Sequence, residues 1–158
     1  MTWRGSADVK DRIFGALVYI MPLASAFKFG TFLIAQFPIL SYLAIPVLPM
    51  ALVNSIPFGN LILFFVLFLA VVRNPKISHF IRFNTMQAIL IDILVFLVGL
   101  VLSVLLRGTG GGLLTETLFN VIFLGTLAAC IYSVIQSISG KYAEIPTISE
   151  AAYMQVRY

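Results

Sequence analysis

Few side chains in this 158-residue chain can do chemistry, and the most conspicuous is Asp92, a carboxylate inside the apolar run Thr85 to Leu106. It lies two helical turns, about 12 Å, beyond Asn84. An ionised group at that depth costs about 2.5 to 3.5 kcal/mol on insertion scales, so Asp92 must face protein or water. Such a carboxylate could titrate and carry a proton or ion. As a protonated acid it could instead bond Gln136 or a backbone group. At about 100° per residue, Asn84, Ala88, Asp92, Gly99 and Ser103 share one arc, with Gln87 beside it. A later apolar run repeats the pattern with Gly125, Thr126, Ala129, Ser133, Gln136, Ser137 and Gly140. Small residues spaced by helical turns let backbones approach, and amides or hydroxyls bond across. Helix packing is therefore the preferred role for these stripes and a conduction path the alternative. On either role the candidate residues are Asn84, Gln87, Asp92, Ser103, Ser133 and Gln136. If they line a path, crosslinkers at Gln87 or Ser133 should trap what passes.

Other chemistry is absent from the pattern. No Ser/His/Asp arrangement, HExxH or pair of catalytic carboxylates can be assembled. GxxxxGK[ST] and GxGxxG do not occur, and the glycines at 108 and 110–112 follow a helix rather than a strand, so they do not cradle phosphate. His79 sits in a basic segment without a carboxylate nearby and reads as an interfacial residue. The single cysteine, Cys130, has no partner for a disulfide or a metal and reads as a packing residue. Trp3, Tyr19, Tyr42 and Tyr132 read as interface or core aromatics. The expectation is no catalytic residue, no cofactor and no metal.

The elements that must position these residues are set by lipid. Hydrophobic residues make up 61% of the chain and charged ones 10%, with mean hydropathy +1.06. Soluble domains run near a quarter charged, so the class is an all-α integral membrane protein in a single domain, 1–158. A net charge of +4 is compatible with binding nucleic acid, but the ten cations edge the apolar runs, where they set membrane orientation. Nucleic acid is not an expected partner; the bilayer is.

Along the chain, Ser6 reads as an N-cap with Asp8 and Asp11 in the first turn. A helix follows through Ile13 to Phe27, kinked by Pro22. Ala24-Ser25-Ala26 resembles a signal-peptide cleavage site, but two aspartates in the would-be basic region argue against cleavage. Pro38, Pro46, Pro49 and Pro57 divide the next apolar stretch. Ile56 to Val72 is its cleanest spanning piece; Ile39 to Val53 is interfacial, re-entrant, or an extension of that helix. A polar hinge at 73–84 precedes a spanning helix over Thr85 to Leu106. A glycine-rich loop follows, then a last span from Leu113 to Ser139, with Gly140 placed as its C′ residue. In the tail, 140–158, Thr147 and Glu150 form a capping-box pattern that predicts a short helix after Pro146.

Counting cations favours four spans. With two crossings before Arg73, eight cations (Arg4, Lys10, Arg12, Arg73, Lys76, Arg82, Lys141, Arg157) share one side against Lys28 and Arg107. The hinge and tail then lie outside the bilayer, and both termini face the stromal or cytoplasmic side.

Three strings carry a more specific signal: MTWRGSADVKDRIFGALVYIMPL, IPFGNLILFFVLFLAVVRNPKISHFIRFNTMQAILIDIL, and TLFNVIFLGTLAACIYSVIQSISGKYAEIPTISEAAYMQVR. They closely resemble the twenty-kilodalton subunit family of the Tic translocon, at the inner envelope membrane of chloroplasts, with its cyanobacterial and algal-plastid relatives. HFIRFNTMQA and YAEIPTISEAA are the most distinctive parts. The resemblance implies four membrane helices and a share in the path by which precursor proteins cross that membrane. It implies other translocon subunits and a precursor polypeptide as partners, and it transfers no catalytic residue. Without a long Ser/Arg-rich transit peptide, the chain is similar to plastid-encoded or cyanobacterial members. The expected location is the plastid inner envelope or a cyanobacterial plasma or thylakoid membrane.

Four helices with two polar stripes cannot by themselves line a water-filled pore wide enough for an extended polypeptide. The expectation is therefore an oligomer or hetero-complex in which this chain contributes helices to the path. The alternatives are a small solute or proton carrier using Asp92, and an assembly or scaffold protein.

Overall fold

The computed structural model describes residues 7–108 and 111–156. Ser6, Trp3, Arg4, Arg157 and the loop residues Thr109 and Gly110 lie outside the described residues, and so do the roles expected of them. Among the described residues every regular element is helical.

The first span is a broken helix, α1 (Val9–Leu17) and α2 (Ile20–Ala26), closed by a 3-10 turn at Phe27–Phe29. The N-cap is Asp8, whose carboxylate accepts the Asp11 amide at 2.8 Å. The break follows from Pro22, which has no N–H for the carbonyl of Val18. The Met21 amide bonds Val18 instead, at 3.3 Å. Together, Val9–Phe29 is long and apolar enough to cross a membrane.

The proline-rich stretch forms short pieces: α3 (Thr31–Gln36), a 3-10 turn at Pro38–Ala44, α4 (Leu48–Asn54) and α5 (Gly59–Leu67), which runs on as a π-helical turn at Phe68–Val72. The sequence suggests a clean span from Ile56; the chain instead bends there by 110° between α4 and α5. Pro57 interrupts the helix, and Phe58 takes a left-handed conformation, φ 59°. Gly59 is needed at this elbow because a Cβ there would lie 1.8 Å from the Val53 carbonyl oxygen. From Gly59 to Val72 an ideal helix rises only about 21 Å, short of the hydrocarbon thickness. Only with α4, as a broken pair, does this region qualify as a span. Among the described residues the fold thus has three candidate spans, or four if the bent pair is one span.

The hinge is shorter than the charges suggest. Helix α6 spans His79–Leu105, so the last six residues of the expected hinge are helical. Ser78 caps it by accepting the Ile81 amide at 3.3 Å. Arg82, which reads as a loop cation, is buried, and its Nε donates to the Val72 carbonyl at 2.8 Å. A guanidinium that caps the preceding helix end can enter a helix buried. The next span, α7, covers Leu113–Ile138 and ends in a Schellman motif. Gly140, φ 78°, donates to Ser137 O at 3.0 Å, and Lys141 donates to Gln136 O at 2.8 Å. The tail helix α8 is Ile148–Gln155, where the capping pattern puts it. Thr147, however, makes no side-chain cap.

Helices α1 and α2 wedge between α6 and α7, each of which touches them more extensively than it touches the other. Tyr19, Phe83, Ile89 and Phe123 fill the core. Phe96, Val104, Val121 and Ile135 point outward as an apolar surface that lipid can cover. Near Ser137, Arg12 lies against Gly140, and α8 packs on α6. The starts of α1 and α6, the end of α7 and helix α8 therefore share one end of the bundle, and the glycine-rich loop lies at the other.

Candidate functional site: a sealed polar network and an open polar cleft

The polar residues of α6 divide into two groups by depth. Nearest the α8 end, Asn84 and Gln87 are fully buried. The Tyr19 hydroxyl donates to Asn84 Oδ1 at 2.7 Å, and the Ser137 hydroxyl reaches the same oxygen at 3.0 Å. Asn84 Nδ2 donates to the Phe80 carbonyl at 2.9 Å, inside its own helix. Gln87 Nε2 donates to the Tyr19 hydroxyl at 3.1 Å and to the Ala143 carbonyl at 3.2 Å. Gln87 Oε1 lies 2.6 Å from Ser149 Oγ, which also accepts the Ile145 amide at 2.6 Å. Five side chains thus join α1/α2, α6, α7 and the tail. Burial makes such bonds obligatory, since no water competes for or replaces them.

Above the network at the same end, His79 Nδ1 sits 2.8 Å from the Tyr142 hydroxyl. Tyr153 stacks on Phe83 with centroids 4.5 Å apart, holding α8 down. His79 is therefore part of an aromatic cluster that clamps the tail, not a residue of an exposed hinge. Ser133 is also fully buried, its hydroxyl beside that of Tyr19. With Gln87 and Ser133 enclosed, crosslinkers there would report neighbouring helices.

Asp92 is the central residue of α6 and is only partly buried. Its partner is the Ser25 hydroxyl of α2, which donates to Oδ1; Gln136 stands half-buried on α7 and is not that partner. Ser25 and Asp92 line a cleft of about 580 Å³ walled by α2, α6 and the α4–α5 elbow. Lys28 enters it from α2's end, and Asn54 and Asn60 from the elbow. Met50, Phe64 and Phe96 make its apolar walls. Ser103, exposed, donates to the Leu100 carbonyl at 2.7 Å and lines a second cleft of about 560 Å³ toward the loop. Lys28 lines both.

Sequence reasoning missed Tyr19 as the hub of the network and Ser25 as the partner of Asp92. In the sequence Tyr19 is one aromatic among many in an apolar run, and Ser25 stands within a cleavage-like tripeptide. Six residues apart, the two lie about 120° from each other on a regular helix, so periodicity does not group them; the break at Pro22 turns both toward α6. Among the described residues no three His, Cys, Asp or Glu side chains gather closely enough to hold a metal ion.

Long apolar helices with outward apolar faces, polar groups paired inside and short connections define a multi-pass helical membrane protein. The chain matches the family model described as "Chloroplast import apparatus Tic20-like" over residues 8–152, and it belongs to that family. It is 53% identical, over 100% of both chains, to a Tic20 family protein of Synechocystis. It is 33% identical to protein TIC 20-II, chloroplastic, of Arabidopsis thaliana, over 92% of this chain and 72% of that one. A third relative, the Tic20 family protein Ycf60 of Porphyra purpurea, is 31% identical over 98% of this chain and 80% of its own. These relatives and the apolar helices place it as a multi-pass protein of a plastid envelope or cyanobacterial membrane.

Proposed function

We infer that this chain is a membrane component of a protein import machinery, supplying helices to a translocation path that partner subunits complete. The observation that carries this reading is the family match across residues 8–152, whose description names the chloroplast import apparatus. Family membership favours a translocon component over an enzyme. The geometry supports dependence on partners, because the polar arcs of α6 and α7 are consumed in packing at the α8 end and leave no pore there to line.

In this reading the bent pair α4–α5 counts as the second of four spans. Both termini then lie on the stromal or cytoplasmic face, with the 73–78 turn and the tail from Gly140 outside the bilayer. The clustering of Lys10, Arg12, Arg73, Lys76 and Lys141 near the bundle end that carries α8 supports this orientation. The polar surface of hinge and tail is where other translocon subunits would bind. Affinity purification of the tagged chain from its native membrane tests the assignment. Recovery of other translocation subunits is the expected result; recovery of an unrelated complex, with protein transport intact in its absence, would overturn it.

A further inference from the structure

The two clefts meet at Lys28 and together run from Asp92, at the middle of α6, to Gly108 and Gly111 of the glycine-rich loop. Asp92 to Ser103 is about 16 Å of helix rise, half the thickness of the hydrocarbon layer. Along this line the wall carries a carboxylate, an ammonium, two exposed amides and one hydroxyl other than that of Ser25. These belong to Asp92, Lys28, Asn54, Asn60 and Ser103. Below Asp92 the way is shut by the Tyr19–Asn84–Gln87 network, whose members are 0 to 1% exposed. The result is an apolar-walled groove set with polar groups through one half of the span, open along its side and closed at its inner end.

Depth and chemistry select the occupant. A lipid headgroup stays at the interface, whereas Asp92 sits at mid-span, so the polar groups meeting it must be carried into the apolar layer. An extended polypeptide does this, presenting donors and acceptors every 3.3 Å or so. One carboxylate and one ammonium leave the groove without net charge. Neither sign of side chain is then rejected, and the amides and hydroxyls can pair with main-chain N–H and C=O groups.

We propose that this half-groove, entered from the loop end and bounded by Lys28, Asn60 and Asp92, receives an extended segment of the polypeptide in transit. The proposal rests on the import reading above and adds to it the place and the side of entry. The test places a photo-crosslinking residue at Asn60, Ser103, lipid-facing Val121 or tail Gln155, one at a time. A precursor is arrested in the native membrane by a folded C-terminal domain, and an unreactive Cys130 certifies that each variant is folded. Adducts shifted by the precursor's mass are expected at 60 and 103 and not at 121. Precursor adducts at 155 alone, or lipid adducts alone at 60 and 103 with precursor captured at 155, would overturn the groove while leaving the import reading intact. Absence of precursor adducts at all four positions would overturn both.

Discussion

Replacing Gln87 by leucine tests how the tail is held. Leucine is close to glutamine in volume and suits a helix, so the change removes bonds without opening a large cavity. Two of the three Gln87 contacts reach the tail, at the Ala143 carbonyl and the Ser149 hydroxyl; the third reaches Tyr19. None of the partners is orphaned. Ser149 still bonds the Ile145 amide and the Ala143 carbonyl, and Tyr19 still donates to Asn84. The cost is then the net worth of the bonds, about 0.6 kcal/mol each in membrane proteins. Two of them give about 1.2 kcal/mol, close to a tenfold rise in tail opening at 1.4 kcal/mol per decade. Hydrogen exchange of the α8 amides should therefore quicken by about tenfold, while the buried Cys130 thiol stays unreactive. Unchanged exchange in α8 would show that the Tyr153 stack alone holds the tail. Simultaneous exposure of Cys130 would show that Gln87 supports the whole bundle rather than the tail.

Three further outcomes follow from the same geometry. Gly140→Ala puts a Cβ at φ 78° and 2.9 Å from Arg12 Nε, which should cost about 1 to 2 kcal/mol and lower the temperature at which Cys130 becomes reactive; an unchanged temperature would refute the Schellman end and its contact with α1. Gly59→Ala should force the α4–α5 elbow open, because its Cβ would meet the Val53 carbonyl at 1.8 Å. Spin labels at the exposed Leu52 and Phe65 should report an altered distance, and an unaltered one would contradict the elbow. In a Cys130→Ser background, an impermeant thiol reagent should label cysteines placed at Lys141 and Gly111 from opposite faces of the membrane; labelling from one face would contradict the four-span arrangement.

Much of the architecture was legible in the sequence because lipid imposes a simple requirement: long apolar runs must be helices. The spans carrying α6 and α7 follow from that rule and the C′ role of Gly140 from capping chemistry; α8 begins where the Thr147–Glu150 pattern puts it, although the Thr147 cap itself does not form. Boundaries were less legible where a charged residue had an internal partner. His79 and Arg82 look like loop residues until Tyr142 and the Val72 carbonyl are beside them. The bend at Ile56 to Gly59 was hidden because hydropathy does not register a left-handed Phe58. The polar arcs of α6 and α7 could be drawn from periodicity, but periodicity does not say which residues are sealed. Contact with Tyr19 and the tail seals Asn84 and Gln87, and Asp92 escapes because the α4–α5 elbow stands away from it.

The most direct test of the import assignment is to deplete this chain acutely in its native membrane and follow a precursor across that membrane while partner subunits remain assembled. Transport is expected to stop with the loss of the chain, before the surrounding complex disperses, and to resume when the chain is restored. Transport that continues at its original rate until the complex falls apart would contradict a share in the path and leave this protein as a scaffold.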